Sequence, residues 1–96
     1  MERIKITEDR FDEELLNLKE WKIVDGKINR TFKFSNFVEA FSFMTKVALE
    51  AEKIDHHPEW SNTYNNVDIK LSTHDLKGIS TFDFYLAKRI DECYRK

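Results

Sequence analysis

Three histidines, His56, His57 and His74, are the residues of this 96-residue chain best suited to proton chemistry. An imidazole with an unperturbed pKa of ~6.5 gives or accepts a proton near neutrality. Two or three on one rim let one group protonate a leaving oxygen while another removes a proton elsewhere. Elimination of water requires both acts. His56 and His57 directly precede Pro58, which biases His57 towards an extended conformation. Neighbours on an extended segment point to opposite faces, so the two need not share one role. The competing reading of an adjacent pair at a helix end is a polar cap, favoured by the negative end of the helix dipole. A three-histidine zinc site fits poorly, because adjacent ligands diverge and H-x-H, H-x-x-x-H and Cys-His spacings are absent. Phosphate loops, G-x-S-x-G elbows and cysteine-based zinc patterns are absent too.

The elements that must carry these side chains follow from periodicity. Thr7 reads as an N-cap with Glu8 and Asp9 complementing the helix start. Phe11, Leu15 and Leu18 then predict a first helix ending near Trp21. Residues 21–24 and 28–34 flank Asp25-Gly26, a strong two-residue hairpin signal. Ile28, Phe32 and Phe34 share a face with Arg30, which reads as a rim or ion-paired residue. A second helix is predicted from Asn36 to Ile54. Its apolar arc holds Phe37, Ala40, Phe41, Phe43, Met44, Val47, Ala48, Ala51 and Ile54. Val38 and Leu49 fall together on the polar side, either as scattered surface residues or as a contact for a second subunit.

A second hairpin joins residues 59–64 and 67–73 around Asn65-Asn66. Val67, Ile69 and Leu71 alternate with Asp68, Lys70 and Ser72, one face buried and one wet. A two-residue Asn65-Asn66 turn sets Tyr64 opposite Val67, Asn62 opposite Ile69 and Trp60 opposite Leu71. Extended two steps, that register sets His57 opposite His74, with Cβ atoms only ~5 Å apart. Ser80-Thr81-Phe82-Asp83 has capping-box spacing and opens a third helix carrying Leu86, Ala87, Ile90 and Tyr94. The expected fold is α+β: an αββαββα order, with a four-stranded antiparallel sheet and three helices packed on one face.

Residues 1–96 form a single domain at this length. Aromatic residues make up 14% of the chain, including eight Phe, while Gly 2 and Pro 1 leave little room for loops. The formal net charge of -2 is spread among interspersed acids and bases. That pattern disfavours a nucleic-acid partner, which would require a basic excess. One cysteine, Cys93, forbids an internal disulfide and favours a reducing compartment. No run approaches the ~20 apolar residues of a membrane span, and the N-terminus lacks an apolar signal core. The expectation is a cytoplasmic protein without a membrane partner.

The segment Glu52-Lys53-Ile54-Asp55-His56-His57-Pro58-Glu59-Trp60 strongly resembles the signature of the pterin-4a-carbinolamine dehydratases. The resemblance continues through Asn62, Tyr64-Asn65, Val67, Ile69, Leu71 and Thr73-His74-Asp75 to Gly78-Ile79-Ser80, Asp83, Leu86-Ala87 and Ile90. Upstream, Phe32, Phe34, Phe37, Ala40, Phe41 and Phe43-Met44 also fit, so roughly residues 11 to 90 are covered. Lys77, where small residues such as Gly are common, is a minor difference.

The resemblance implies dehydration of 4a-hydroxytetrahydropterin to quinonoid dihydropterin, without metal or other cofactor, recycling the pterin of aromatic amino-acid hydroxylases. It implies His56 and His74 as the acid/base pair and His57 as a residue that binds and orients the pterin. The preferred assignment is His56 as acid and His74 as base. Pro58, Thr73, Asp75 and Leu76 would line the site. Trp60 is either a pocket wall or a buried aromatic. Asp75 either orients a histidine or is a solvated carboxylate, and Asp83 is better explained as the partner of Ser80 in the capping box. The resemblance also implies a homodimer or homotetramer built through a sheet edge and the second helix. The alternative function is a non-enzymatic oligomerisation or transcriptional cofactor module, with a protein partner on that same helix.

Overall fold

The computed structural model describes residues 1 to 95. A 3-10 turn, Glu8–Arg10, runs into a short helix α1, Phe11–Glu14. Strands β1, Lys22–Val24, and β2, Lys27–Lys33, precede the long helix α2, Phe37–Ile54. Strands β3, Glu59–Thr63, and β4, Asn66–Leu71, lead through a 3-10 turn, His74–Leu76, into α3, Thr81–Arg95. The sheet is antiparallel with the order β1-β2-β4-β3, and the expected α+β architecture is found.

Alternation decides which face of the sheet is covered. Ile28 and Phe32 of β2 and Val67, Ile69 and Leu71 of β4 are buried, while Thr31, Lys33, Ser61 and Thr63 on the opposite face are exposed. Ala40, Phe43, Val47 and Ala51 of α2 and Phe84, Leu86, Ala87 and Ile90 of α3 join them in one core. Asp25 and Gly26 both take positive φ, 51° and 75°, as a tight hairpin turn demands. Asn36 caps α2 by accepting from the Glu39 amide at 2.9 Å. Arg30 is ion-paired with Asp91 at 2.8 Å, and the same carboxylate oxygen accepts from the Trp21 indole at 2.9 Å.

Three expectations change. The first helix stops at Glu14 rather than near Trp21. Beyond it, Leu18 N–H donates to Leu15 C=O and Trp21 N–H to Leu18 C=O. These consecutive three-residue turns bury Leu18 and Trp21 as a helix would have done. The second hairpin turns at Tyr64-Asn65, so Thr63 faces Asn66, Asn62 faces Val67 and Trp60 faces Ile69. Asn65 is held instead by the end of β2: its side chain donates to Phe34 C=O and its own C=O accepts from Phe34 N–H, each at 2.9 Å. Every partner is displaced by two residues, which preserves the faces because the side-chain period is two. On α2 only part of the apolar arc is covered: Phe37, Phe41 and Ala48 are exposed.

α2 and α3 are also bridged by charge. Glu50 accepts from Arg89 Nε at 2.9 Å and from Lys53 Nζ at 3.0 Å. Arg89 first, then Lys53, hold the Glu50 carboxyl below its ordinary value of 4.5. A lowered folded-state value means stability that is present above the unfolded carboxylate value and lost as pH falls through the folded one. Glu50→Gln should therefore cost about 1 kcal/mol or less at neutral pH. The difference should vanish in acid, and urea unfolding at both pH values checks this.

Candidate functional site

The histidines meet at the end of the sheet where α2 delivers its C-terminus. Asp55 closes α2 in the left-handed conformation, φ 51°, and its N–H returns to Ala51 and Glu52 C=O. The His56 amide also donates to Ala51 C=O, at 3.1 Å. The helix end is thus satisfied by backbone, in a Schellman-like manner, and the His56 ring is not needed as a cap. On the other side, Thr73 and Gly78 pair across a short loop, Thr73 N–H donating to Gly78 C=O at 2.7 Å. That loop contains the 3-10 turn that presents His74 and Asp75. Lys77 within it takes φ 51°, a conformation that glycine adopts without steric cost.

A cavity of about 350 Å³ is lined by Arg3, Asp55, His56, His57, Ser72, Thr73, His74 and Asp75. All three histidines border it, although His74 lies in the turn rather than on an extension of β4 opposite His57. Pro58, Trp60 and Leu76 do not line this cavity, and Trp60 packs against the core. Asp75 is an exposed carboxylate on the rim. Among the described residues, no three of His, Cys, Asp or Glu are grouped to hold a metal ion.

The three rings are held differently. His56 is buried, and its Nε2 lies 2.6 Å from Oδ1 of Asp83. His57 is exposed, with Nε2 2.5 Å from Oε2 of Glu52, one turn back on α2. His74 is exposed, and its ring makes no hydrogen bond to another described residue. One imidazole is therefore anchored in the wall, one is tethered on the surface, and one is free to engage a ligand with either nitrogen.

The capping-box role expected of Asp83 is present: Ser80 N–H donates to its Oδ2 at 2.8 Å. The carboxylate, at 0% exposure, does more. The Thr73 hydroxyl donates to Oδ2 at 2.8 Å, and the Ser80 hydroxyl donates to Thr73 Oγ1 at 2.6 Å. Three donors thus converge on one buried carboxylate, which satisfies it. Because a carboxylate accepts, His56 carries a proton on Nε2 and turns Nδ1 to the remaining side. The capping-box spacing was visible in the chain. The contact with His56, 27 residues away, had no local signal.

Arg3 was also missed. The N-terminal arm lies antiparallel to residues 79–81, with Ile6 N–H donating to Ile79 C=O and Thr81 N–H to Ile4 C=O, at 2.8 and 2.9 Å. An alternation as short as Ile4-Lys5-Ile6 is too brief to predict that pairing.

The pterin 4 alpha carbinolamine dehydratase family model matches residues 4–93. A relative from Mesorhizobium japonicum named for pterin-4-alpha-carbinolamine dehydratase is 48% identical over 96 residues, 98% of each chain. Another from Prochlorococcus marinus is 47% identical over 91 residues, 95% of each chain. A crystal structure of a transcriptional coactivator/pterin dehydratase from Brucella melitensis superposes with a TM-score of 0.89 at 44% identity. That likeness covers 94% of this chain and 98% of the other. With a four-stranded sheet, a long second helix and a His-His-Pro and Thr-His pair of segments brought to one cavity, the chain belongs to the pterin 4 alpha carbinolamine dehydratase family.

Proposed function

We propose that this protein dehydrates 4a-hydroxytetrahydropterin to quinonoid dihydropterin and water by histidine acid/base catalysis, recycling the pterin used by aromatic amino-acid hydroxylases. The observation that carries this reading is the cavity bordered by three imidazoles in three different settings. The carbon–oxygen bond at C4a breaks, the leaving hydroxyl takes a proton to become water, and the N5 proton is lost. A residue that gives a proton and one that takes a proton suffice, and no net proton is consumed.

Within this proposal His56 is the acid. Asp83 fixes its tautomer and compensates the charge of the doubly protonated ring, as a buried carboxylate does for a catalytic imidazole. His74 is the base that takes the N5 proton, since its ring is committed to no other partner. His57, tethered to Glu52, binds and orients the pterin, while Thr73 and Asp75 complete the wall. Pro58, Trp60 and Leu76 act at most from behind that wall, through shape. The test is a stopped-flow assay with freshly generated 4a-hydroxypterin. Acceleration over the spontaneous reaction by wild-type protein, lost in His56→Ala and His74→Ala, supports the reading. A wild-type protein without acceleration overturns it.

Self-association through α2 and a sheet edge belongs to the same proposal, as does a cytoplasmic setting, supported by the single cysteine. β1 and β3 are edge strands. Val38 and Leu49 on α2 are 72% and 61% exposed and stand on the same side of the helix, where a second subunit could cover them. A Val38→Glu, Leu49→Glu pair should shift the protein to smaller species in sedimentation while leaving dehydration within twofold of wild type. Unchanged sedimentation would remove these residues from the interface. The coactivator reading, suggested by the name of the Brucella melitensis relative, would require a partner bound to this face together with absent dehydratase activity.

A further inference from the structure

We propose that Arg3, delivered by the N-terminal arm, is a substrate-binding residue that donates from the open side of the cavity to an oxygen acceptor of the bound pterin. This inference rests on the reading of the cavity as a pterin site and extends it to a residue outside both histidine segments.

Four observations converge on Arg3. It lines the cavity together with the histidines. Its guanidinium sits 4.3 Å from the centre of the Phe82 ring, and Phe82 meets the His56 ring edge-on at 5.7 Å. The guanidinium is thus linked to the buried imidazole through the Phe82 ring between them. A donor on its Nη2 reaches the Asp55 C=O at 3.5 Å, beside the left-handed residue that precedes His56. Finally, the arm is fastened in place. Besides the two backbone bonds already described, Thr81 Oγ1 accepts from Ile4 N–H at 3.1 Å and donates to Glu2 C=O at 2.5 Å.

The chemistry left to the guanidinium is specific. It has five N–H donors in a planar fork, only one of which is engaged by Asp55, and it makes no ion pair with a described carboxylate. Contact with the Phe82 ring and the Asp55 carbonyl restricts the guanidinium, so less freedom is lost when it binds a ligand. A 4a-hydroxytetrahydropterin offers three kinds of oxygen acceptor, the ring carbonyl, the leaving 4a-hydroxyl and the hydroxyls of its side chain, and a 7,8-dihydropterin lacks the second. In the dehydratase reading His56 and His74 carry the proton transfers, and Arg3 joins His57 in binding and orientation rather than chemistry.

The experiment compares wild type, Arg3→Ala, Arg3→Lys and Thr81→Val. It measures kcat and KM for dehydration, and the Kd of a non-reacting 7,8-dihydropterin by fluorescence quenching. Arg3→Ala should raise KM and Kd about tenfold, the loss of one charge-assisted hydrogen bond, with kcat within twofold of wild type. Arg3→Lys should recover part of the loss, since it keeps the charge without the fork. Thr81→Val loosens the arm without removing the guanidinium, and should raise KM severalfold in wild type but not in the Arg3→Ala background. Repeating the comparison with a 6-methyl pterin identifies the acceptor. A persistent effect on the Kd of the dihydropterin probe assigns the ring carbonyl, a persistent effect on KM alone assigns the 4a-hydroxyl, and an effect lost from both assigns the side-chain hydroxyls. Values of KM and Kd for Arg3→Ala within twofold of wild type overturn the inference, as does a Thr81→Val effect undiminished without Arg3. In either case the activity of the wild-type protein would leave the dehydratase reading standing. A wild-type protein that neither dehydrates nor binds the probe overturns both.

Discussion

His74→Ala should lower the rate of dehydration by on the order of 10²–10⁴, the usual worth of a positioned acid or base, while the fold survives. The expectation is clean because His74 is exposed and its ring bonds to no other described residue. Truncating such a side chain typically changes stability by within about 0.5 kcal/mol. The turn that presents it is held by backbone, Thr73 with Gly78 and Lys77 N–H with His74 C=O at 3.0 Å, and alanine keeps those bonds. Stopped-flow dehydration with thermal unfolding as a control separates the two effects. A variant that folds and turns over as fast as wild type would exclude His74 from the chemistry.

Asp83→Asn should cost both stability and turnover, for a reason that size cannot supply. The carboxylate accepts from the His56 ring on one oxygen and from the Thr73 hydroxyl and Ser80 amide on the other. An asparagine has nearly the same shape but replaces one oxygen by an NH₂ donor. Turned towards Ser80, the new donor faces a backbone N–H that cannot reverse its role. Turned towards His56, it forces the proton from Nε2 to Nδ1 and inverts what the ring offers the cavity. An unsatisfied buried polar group costs about 1–3 kcal/mol, so urea unfolding should register a loss of that order.

The dehydration rate of Asp83→Asn should fall by on the order of 10²–10⁴, because the acid loses both its tautomer and its counter-charge. Asp83→Ala should be worse in stability, about 3–5 kcal/mol, since it leaves a buried imidazole, hydroxyl and amide unpaired. The Asn variant is therefore the more informative of the two. Nitrogen NMR of the His56 ring would read the tautomer directly. Wild-type turnover in Asp83→Asn would reduce Asp83 to its capping role.

Much of this arrangement was legible along the chain because it is local. Asp25-Gly26 announces its own turn, and Ser80 with Asp83 their own helix start, since each interaction spans only a few residues. Alternation of Val67, Ile69 and Leu71 identifies the buried face of β4. The same alternation cannot distinguish Trp60 opposite Leu71 from Trp60 opposite Ile69, because a shift of two residues leaves every side chain on its face. Likewise, the spacing of Leu15, Leu18 and Trp21 reports which residues go inward, and a run of three-residue turns satisfies it as well as a helix does.

The chain alone carried the order of elements, the apolar faces and the histidine segments that resemble a known family. Folding in three dimensions chose the strand register and gave Asp83 a second duty towards His56. It also left Phe37 and Phe41 uncovered and brought Arg3 into the lining of the cavity. The division has one cause. Periodicity and capping depend on neighbours a few residues apart, whereas a buried carboxylate takes whatever donors the packed layers bring within ~3 Å of it.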